Sequence, residues 1–233
     1  MSVLNDPKLD AFLDSLHAQS KAQEAATEDY WRTRSGGWSG MEARDHAHYA
    51  DKLVALERDK AEFCYALCRA IDAKRIVECG TSFGVSTLYL AAAVRDNIAS
   101  SSGAVGYGDN PGGTVIATEY EPAKAEQARR NFAIAGLAKF IDLREGDLAD
   151  TLKIIEGPVD FVLFDIWTDA VGPALALILP HLGARAIICA DNSAGERSRA
   201  GYRALFDAIA DPKNRLTTMT LPFAGGFEMT VRG

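Results

Sequence analysis

The sequence predicts an α/β protein built on a mostly parallel sheet, with an antiparallel hairpin at one sheet edge and a helical extension at the N-terminus. Three observations predict it. From residue 75 onward, short apolar runs alternate with helical patterns, the signature of right-handed βαβ units. Near the C-terminus, LTTMTLP and FEMTVR flank the turn AGG, which leaves no room for a crossover helix, so these two strands must be antiparallel. Ahead of the first strand, apolar residues recur at helical spacing.

The elements follow in chain order. Leu9, Phe12, Leu13 and Leu16 after Asp6-Pro7 predict an amphipathic helix over 7–27, broken by SGGWSG at 35–40. Leu53, Leu56, Phe63, Leu67 and Ile71 predict a second helix leading into the strand RIVEC at 75–79. The runs TVIATE, KFIDLRE, VDFVLFD and ARAIICAD are the next strands, and helical patterns at 85–95, 122–136, 148–155 and 170–180 separate them. Between Asp96 and Gly113 the chain is rich in Gly, Ser and Asn and is expected to be a surface loop. Residues 1–50 form an N-terminal extension, expected as a lid or dimer contact, and 51–233 the main domain.

Composition narrows the function. A chain of 233 residues with 48% hydrophobic content can bury one sizeable core. The charged start MSVLNDPKLD has no apolar signal core, and stretches such as LYLAAAV are far too short to span a bilayer, so a soluble, cytoplasmic protein is expected. Cys64, Cys68, Cys79 and Cys189 lack zinc-type spacing and are expected as buried free thiols. A net charge of −7 without a basic run disfavours nucleic acid and anionic membranes. A small molecule is the expected partner.

In a parallel sheet, ligands collect at the carboxyl ends of the strands, and here those ends are acidic. The turn VECGTSFGVST carries Glu78 and the spacing Gly80-x-x-x-Gly84, which is neither a dinucleotide fingerprint nor a phosphate-binding loop. Glu119, Asp147, Asp165 and Asp191-Asn192 end the following strands or their turns. Glu78 would repel a pyrophosphate and attract an ammonium or sulfonium group. Glu119 can accept both hydroxyl protons of a ribose, and Asp147 can accept from an adenine amino group. A ligand with adenine, a ribose, a positive centre and an amino-acid tail satisfies all three acids, and S-adenosylmethionine has these parts.

With the motifs VECGTSFGVST, VIATEYEP, REGDL, VDFVLFDIWTDA and ICADN in this order over about residues 52–233, the sequence resembles the class I S-adenosylmethionine-dependent methyltransferases, and among them the catechol and caffeoyl-CoA O-methyltransferase group. The resemblance implies a Rossmann-like seven-stranded sheet with helices on both faces and an antiparallel last strand. It implies that Gly80, Ser82, Gly84 and Ser86 line the donor's methionine part, that Glu78 holds its amino group, and that Glu119 takes the ribose with Tyr120 beside the adenine. Asp165 counts among the donor-binding residues too. Asp165, Asp191 and Asn192 match the family's metal ligands, and independently their hard oxygens suit Mg²⁺, or Mn²⁺ and Ca²⁺. The competing reading is that Asp191 and Asn192 cap a helix beginning near Ser193. Lys60 falls near a donor-site lysine of the catechol group, although a lysine on a charged helix is ordinarily solvated. A solvated face is expected for Arg197, Arg199 and Arg203, although a carboxylate-bearing substrate could use one of them.

One position departs from the resemblance. Where the catechol group carries a lysine, taken as the base for the acceptor hydroxyl, this chain has Thr168. Ionising a phenol at pH 7 costs roughly 4 kcal/mol, which a bound dication can offset. Asp165, Thr168 and Asp169 are the candidate catalytic residues, with His46, His48 and His181 as further candidate bases. The function expected is methyl transfer from S-adenosylmethionine to a small hydroxylated molecule, phenols included, assisted by a divalent cation with Mg²⁺ first. The alternatives are a non-catalytic donor-binding protein and a nicotinamide-dependent oxidoreductase. A homodimer is a further expectation.

Overall fold

The computed structural model describes residues 2–34, 42–100 and 112–233, apart from the side chains of 196–198. The expected break at 35–40, Trp38 with it, and the stretch 101–111 lie outside the described residues.

Helix α1, Pro7–Thr33, starts where Asp6 accepts from the Leu9 N–H and Pro7 fixes the first turn. It runs six residues past the expected end. The short helix α2, Ala43–Tyr49, has no counterpart in the sequence reading, because seven residues hold too little periodicity to register. Helix α3, Arg58–Ala70, begins later than Leu53 and Leu56 suggested; both are buried in the connecting segment before it. Then follow β1 (Arg75–Cys79), α4 (Val85–Ser100), β2 (Thr114–Glu119), α5 (Pro122–Ile134), β3 (Ile141–Glu145), α6 (Leu148–Thr151), β4 (Val159–Phe164), α7 (Val171–Ile178) and β5 (Leu182–Asp191). The chain ends with α8 (Glu196–Gly201), α9 (Arg203–Ala210), β6 (Leu216–Leu221) and β7 (Phe227–Arg232). The loop expected from Asp96 is corrected, since α4 continues to Ser100 with Asn97 buried and bonded to the Cys68 and Ala73 carbonyls.

The seven strands order as β3-β2-β1-β4-β5-β7-β6, with β7 antiparallel to both of its neighbours and the other pairs parallel. Central strands are covered on both faces, which is why they read as continuous apolar runs. Period-two alternation sends Ile76, Val115, Ala117, Phe161 and Leu163 to the core under α3, α4 and α5. Val77, Ile116, Val162 and Phe164 go to the core under α7 and α9. Each such Val, Ile, Leu or Phe side chain contributes about 1.5–3 kcal/mol through burial. Leu9, Leu13 and Leu16 of α1 belong to the first core, so the front half of the N-terminal extension is part of the main packing unit. The four cysteines are free and buried, as their spacing predicts. No helix among the described residues is long and apolar enough to cross a membrane.

The order of the strands reverses between β1 and β4. Their carboxyl ends therefore open a crevice, which the acids at the ends of β2, β4 and β5 line, while Glu78 of β1 is buried beside it.

Candidate functional site

A cavity of about 1040 Å³ occupies this crevice. Its floor begins at the turn after β1. Gly80 has φ +96°, and a Cβ there would overlap the Asp165 carbonyl oxygen, so glycine lets the ends of β1 and β4 meet. Gly84, with φ +84°, lies against the Phe132 ring and serves the packing of α4 on α5. It does not line the cavity. Ser82 adopts a left-handed φ of 49°, which turns its N–H onto Glu119 Oε2 at 2.6 Å. The Ser82 hydroxyl accepts from the Val54 N–H at 3.3 Å and ties the segment before α3 to the glycine turn.

Glu78 is fully buried on the α4 side of β1 and is not among the residues that line the cavity. Its Oε2 accepts from the hydroxyls of Thr81, at 3.1 Å, and Thr87, and the nearby Ser86 hydroxyl also favours its charge. Its Oε1 is buried with no partner among the described residues. Burial pushes the Glu78 pKa up to about 7, against the pull of these hydroxyls. Glu119 ends β2 at the cavity wall, where Oε1 accepts from the Glu121 N–H at 2.9 Å. Burial raises its pKa, opposed first by the bond from the Glu121 backbone and then by Lys124. Tyr120 is 62% exposed at the rim, and Asp147 caps α6 by accepting from the Ala149 N–H at 2.7 Å, so one of its oxygens is already engaged.

Across the crevice, Asp165, Asp191 and Asn192 line the same cavity. The expectation of a helix cap at Asp191-Asn192 is not met, because α8 begins only at Glu196. Lys60 is also corrected: it is fully buried and donates to Asp191 Oδ1 at 2.5 Å and Glu57 Oε2 at 2.8 Å. It lies on the buried stripe of α3 with Ala61, Cys64, Tyr65 and Cys68, a periodicity that marks the position as interior. Burial opposes its charge, but Asp191 and Glu57 hold its pKa above the ordinary value. Asn192 donates to Asp191 Oδ2 at 2.7 Å. Asp165 carries no hydrogen bond or ion pair on its carboxylate among the described residues, and burial, then Asp191 and Glu78, raise its pKa. The described residues contain no group of three His, Cys, Asp or Glu side chains able to hold a metal; the trio has two carboxylates and one amide.

Residues from the extension wall the other side. Tyr49 accepts from Trp31 Nε1 at 2.5 Å, and Trp167 after β4 meets both rings, at 5.5 Å from Tyr49 and 6.4 Å from Trp31. A buried Asp45, bonded to Tyr30 and Arg34, fastens α2 to the end of α1. Thr168 and Asp169 line the cavity, and Thr168 packs so closely on Gly201 that a Cβ there would overlap it. Among the histidines, His46 lines the cavity 3.8 Å from Glu121 and His48 stacks on Tyr30. His181 lies before β5, at the sheet end opposite the cavity. Arg199 covers the Phe206 ring and Arg203 is an exposed partner of Asp207. The sequence reading also overlooked Lys124, which lines the cavity from the buried stripe of α5.

A methyltransferase-domain family model matches residues 77–193. The chain is 32% identical over 162 residues to a catechol O-methyltransferase of Mycobacterium tuberculosis, covering 69% of this chain and 60% of that one. A catechol O-methyltransferase of Niastella koreensis is 29% identical over 147 residues, covering 60% and 58%. The alignments thus span somewhat under two thirds of these relatives. Among solved structures, the O-methyltransferase from Bacillus cereus in complex with SAH superposes with a TM-score of 0.64 at 22% identity, over 92% of this chain and all of that one. The O-methyltransferase from Streptomyces achromogenes involved in tomaymycin synthesis, in complex with SAM, gives 0.63 at 22% identity over 84% and 92%.

Proposed function

The chain belongs to the class I methyltransferase family, and on that footing we propose that it transfers the methyl group of S-adenosylmethionine to a hydroxyl of a small molecule, phenols included. The observation that carries this reading is the unpartnered, buried Glu78 Oε1 under a glycine turn. A buried carboxylate oxygen without a donor is costly, and the donor's ammonium supplies the missing bond. Glu119, held by two backbone N–H groups, keeps lone pairs for the ribose hydroxyls, and Tyr120 offers a ring face to the adenine. Gly80, Ser82 and Ser86 shape the methionine part of the site, Asp147 stands at the adenine end, and Gly84 acts through packing. The named relatives, both catechol O-methyltransferases, support a hydroxyl acceptor.

The residues opposite suit a divalent cation, with Mg²⁺ the first expectation. Asp165, Asp191 and Glu57 bring three carboxylates to this side, where Lys60 pairs with Asp191 and Glu57, and among the described residues the Asp165 carboxylate has no hydrogen-bond or ion-pair partner. Asp165, Asp191 and Asn192 would hold the ion. Such an ion, when bound, stabilises an acceptor oxyanion. The chain's own residues position the acceptor: Tyr49 and Trp167 form an apolar wall, and Asp169, which lines the cavity beside Thr168, is a candidate to take a proton in place of the absent lysine. Alignment of oxygen, methyl and sulfur can supply on the order of 7–11 kcal/mol.

Thr168, packed on Gly201, favours a second reading, a donor-binding protein without turnover. Incubation with S-adenosylmethionine and a panel of hydroxylated aromatics, with and without Mg²⁺, separates the two. Release of S-adenosylhomocysteine matched by a methylated product is expected. Binding of donor with no product from any acceptor would leave only the second reading, and no binding would remove both.

A further inference from the structure

We propose that Lys124 determines how the cavity discriminates the sulfonium donor from its neutral thioether product, an inference that rests on the donor-site reading above. Lys124 stands in the first turn of α5, five residues after Glu119. It is 8% exposed, lines the same cavity as Glu119 and Asp165, and makes no hydrogen bond or ion pair among the described residues. Its Nζ is not among the sealed, unpartnered polar atoms of the described residues, so the stem is buried while the ammonium opens on the cavity. The carboxylates of Glu119 from β2, Glu121 from the link to α5, Asp165 just after β4 and Asp51 from the segment before α3 act on it through their charge, and the first three line the same cavity. Lys124 is thus a cation resident in the cavity, without a fixed anion of its own. Burial lowers its pKa while the four acids oppose that change, Glu119 first.

The chemistry of the two ligands makes this position consequential. S-adenosylmethionine and S-adenosylhomocysteine share adenine, ribose and an amino-acid tail, and differ by one methyl group and one positive charge at sulfur. Every contact to the shared parts affects both alike. A fixed ammonium among the acids that face the ligand repels only the sulfonium. The protein therefore holds its product more firmly, relative to its donor, than it would with a neutral side chain at 124. Asn131 and Phe132, lower on the same stripe, bond to the Phe83 carbonyl and pack on Gly84, so the helix that carries Lys124 is fixed to the glycine turn.

The test is the ratio of dissociation constants for S-adenosylmethionine and S-adenosylhomocysteine, measured calorimetrically at pH 7.5 in wild type, Lys124→Met, Lys124→Gln and Lys124→Arg. The two neutral variants should shift the ratio toward the sulfonium by about tenfold, the scale of one charge pair at cavity distances. Arginine should leave it near the wild-type value. Retained binding of S-adenosylhomocysteine certifies each fold. An unchanged ratio in the neutral variants overturns the role of Lys124 and leaves the donor site standing. Failure of the wild type to bind either ligand removes the donor site itself.

Discussion

Glu78→Gln should make the ligand-free protein more stable at pH 8 while weakening the donor. Glu78 is fully buried and its pKa rises from 4.5 to about 7, chiefly through burial. At 1.36 kcal/mol for each tenfold change, ionising it in the folded protein costs about 3 kcal/mol more than in the unfolded chain. The sign follows directly. Between pH 4.5 and about 7 the folded state keeps a proton that the unfolded state has released, so stability falls as pH rises through that window. Glutamine has no charge to lose, so the variant should gain on wild type by about 3 kcal/mol between pH 4.5 and pH 8. Urea denaturation of both proteins at the two pH values measures this. The same substitution removes the anion for the donor's ammonium and should cost about a hundredfold in affinity. In wild type, donor affinity should fall about tenfold per pH unit below pH 7, because the ligand must displace the proton. A stability difference independent of pH would refute the buried, proton-linked picture of Glu78.

Further substitutions probe the rest of the site. Glu119→Ala should weaken S-adenosylhomocysteine by on the order of a hundredfold in a calorimetric titration, with little change in the melting temperature. Gly80→Ala should destabilise the fold by more than about 2 kcal/mol in thermal denaturation, since φ is +96° and the new methyl would meet the Asp165 carbonyl. Lys60→Met should cost about 3–5 kcal/mol in urea titration by leaving Asp191 buried without its counter-ion; a loss under 1 kcal/mol would contradict the pairing. Thr168→Lys, if its side chain turns from Gly201 into the cavity, should move the pH optimum of methyl transfer lower, and an unmoved profile would show that no base is missing at that position.

Much of this arrangement was legible because parallel sheets write themselves into sequence. Strands β1, β2 and β4 are buried on both faces, so each appears as an apolar run with an acid at or next to its end: Glu119 and Asp165 line the cavity, and Glu78 is buried beside it. The AGG turn required the antiparallel β6–β7 pair. What stayed hidden depends on side-chain direction. Lys60 reads as a solvated charge and Lys124 draws no notice, yet both fall on the buried stripes of their helices, where the spacing of Ala, Cys and Phe neighbours carries the signal. Charge type outweighed position in that reading. Helix α2 was missed because its fixation is tertiary: Asp45 is held by Arg34 and Tyr30, contacts that no local pattern encodes. Likewise Thr168 was legible as a substitution, but its packing on Gly201, 33 residues away along the chain, was not.

The most direct measurement of the central claim is a crystal structure of the protein with S-adenosylhomocysteine. One ligand is expected in the cavity outside β1, β2 and β4, with its ammonium bonded to Glu78 Oε1, its ribose hydroxyls on Glu119 and its sulfur facing the Asp165 side. A ligand seated elsewhere, or one whose ammonium leaves Glu78 Oε1 unpartnered, would contradict it.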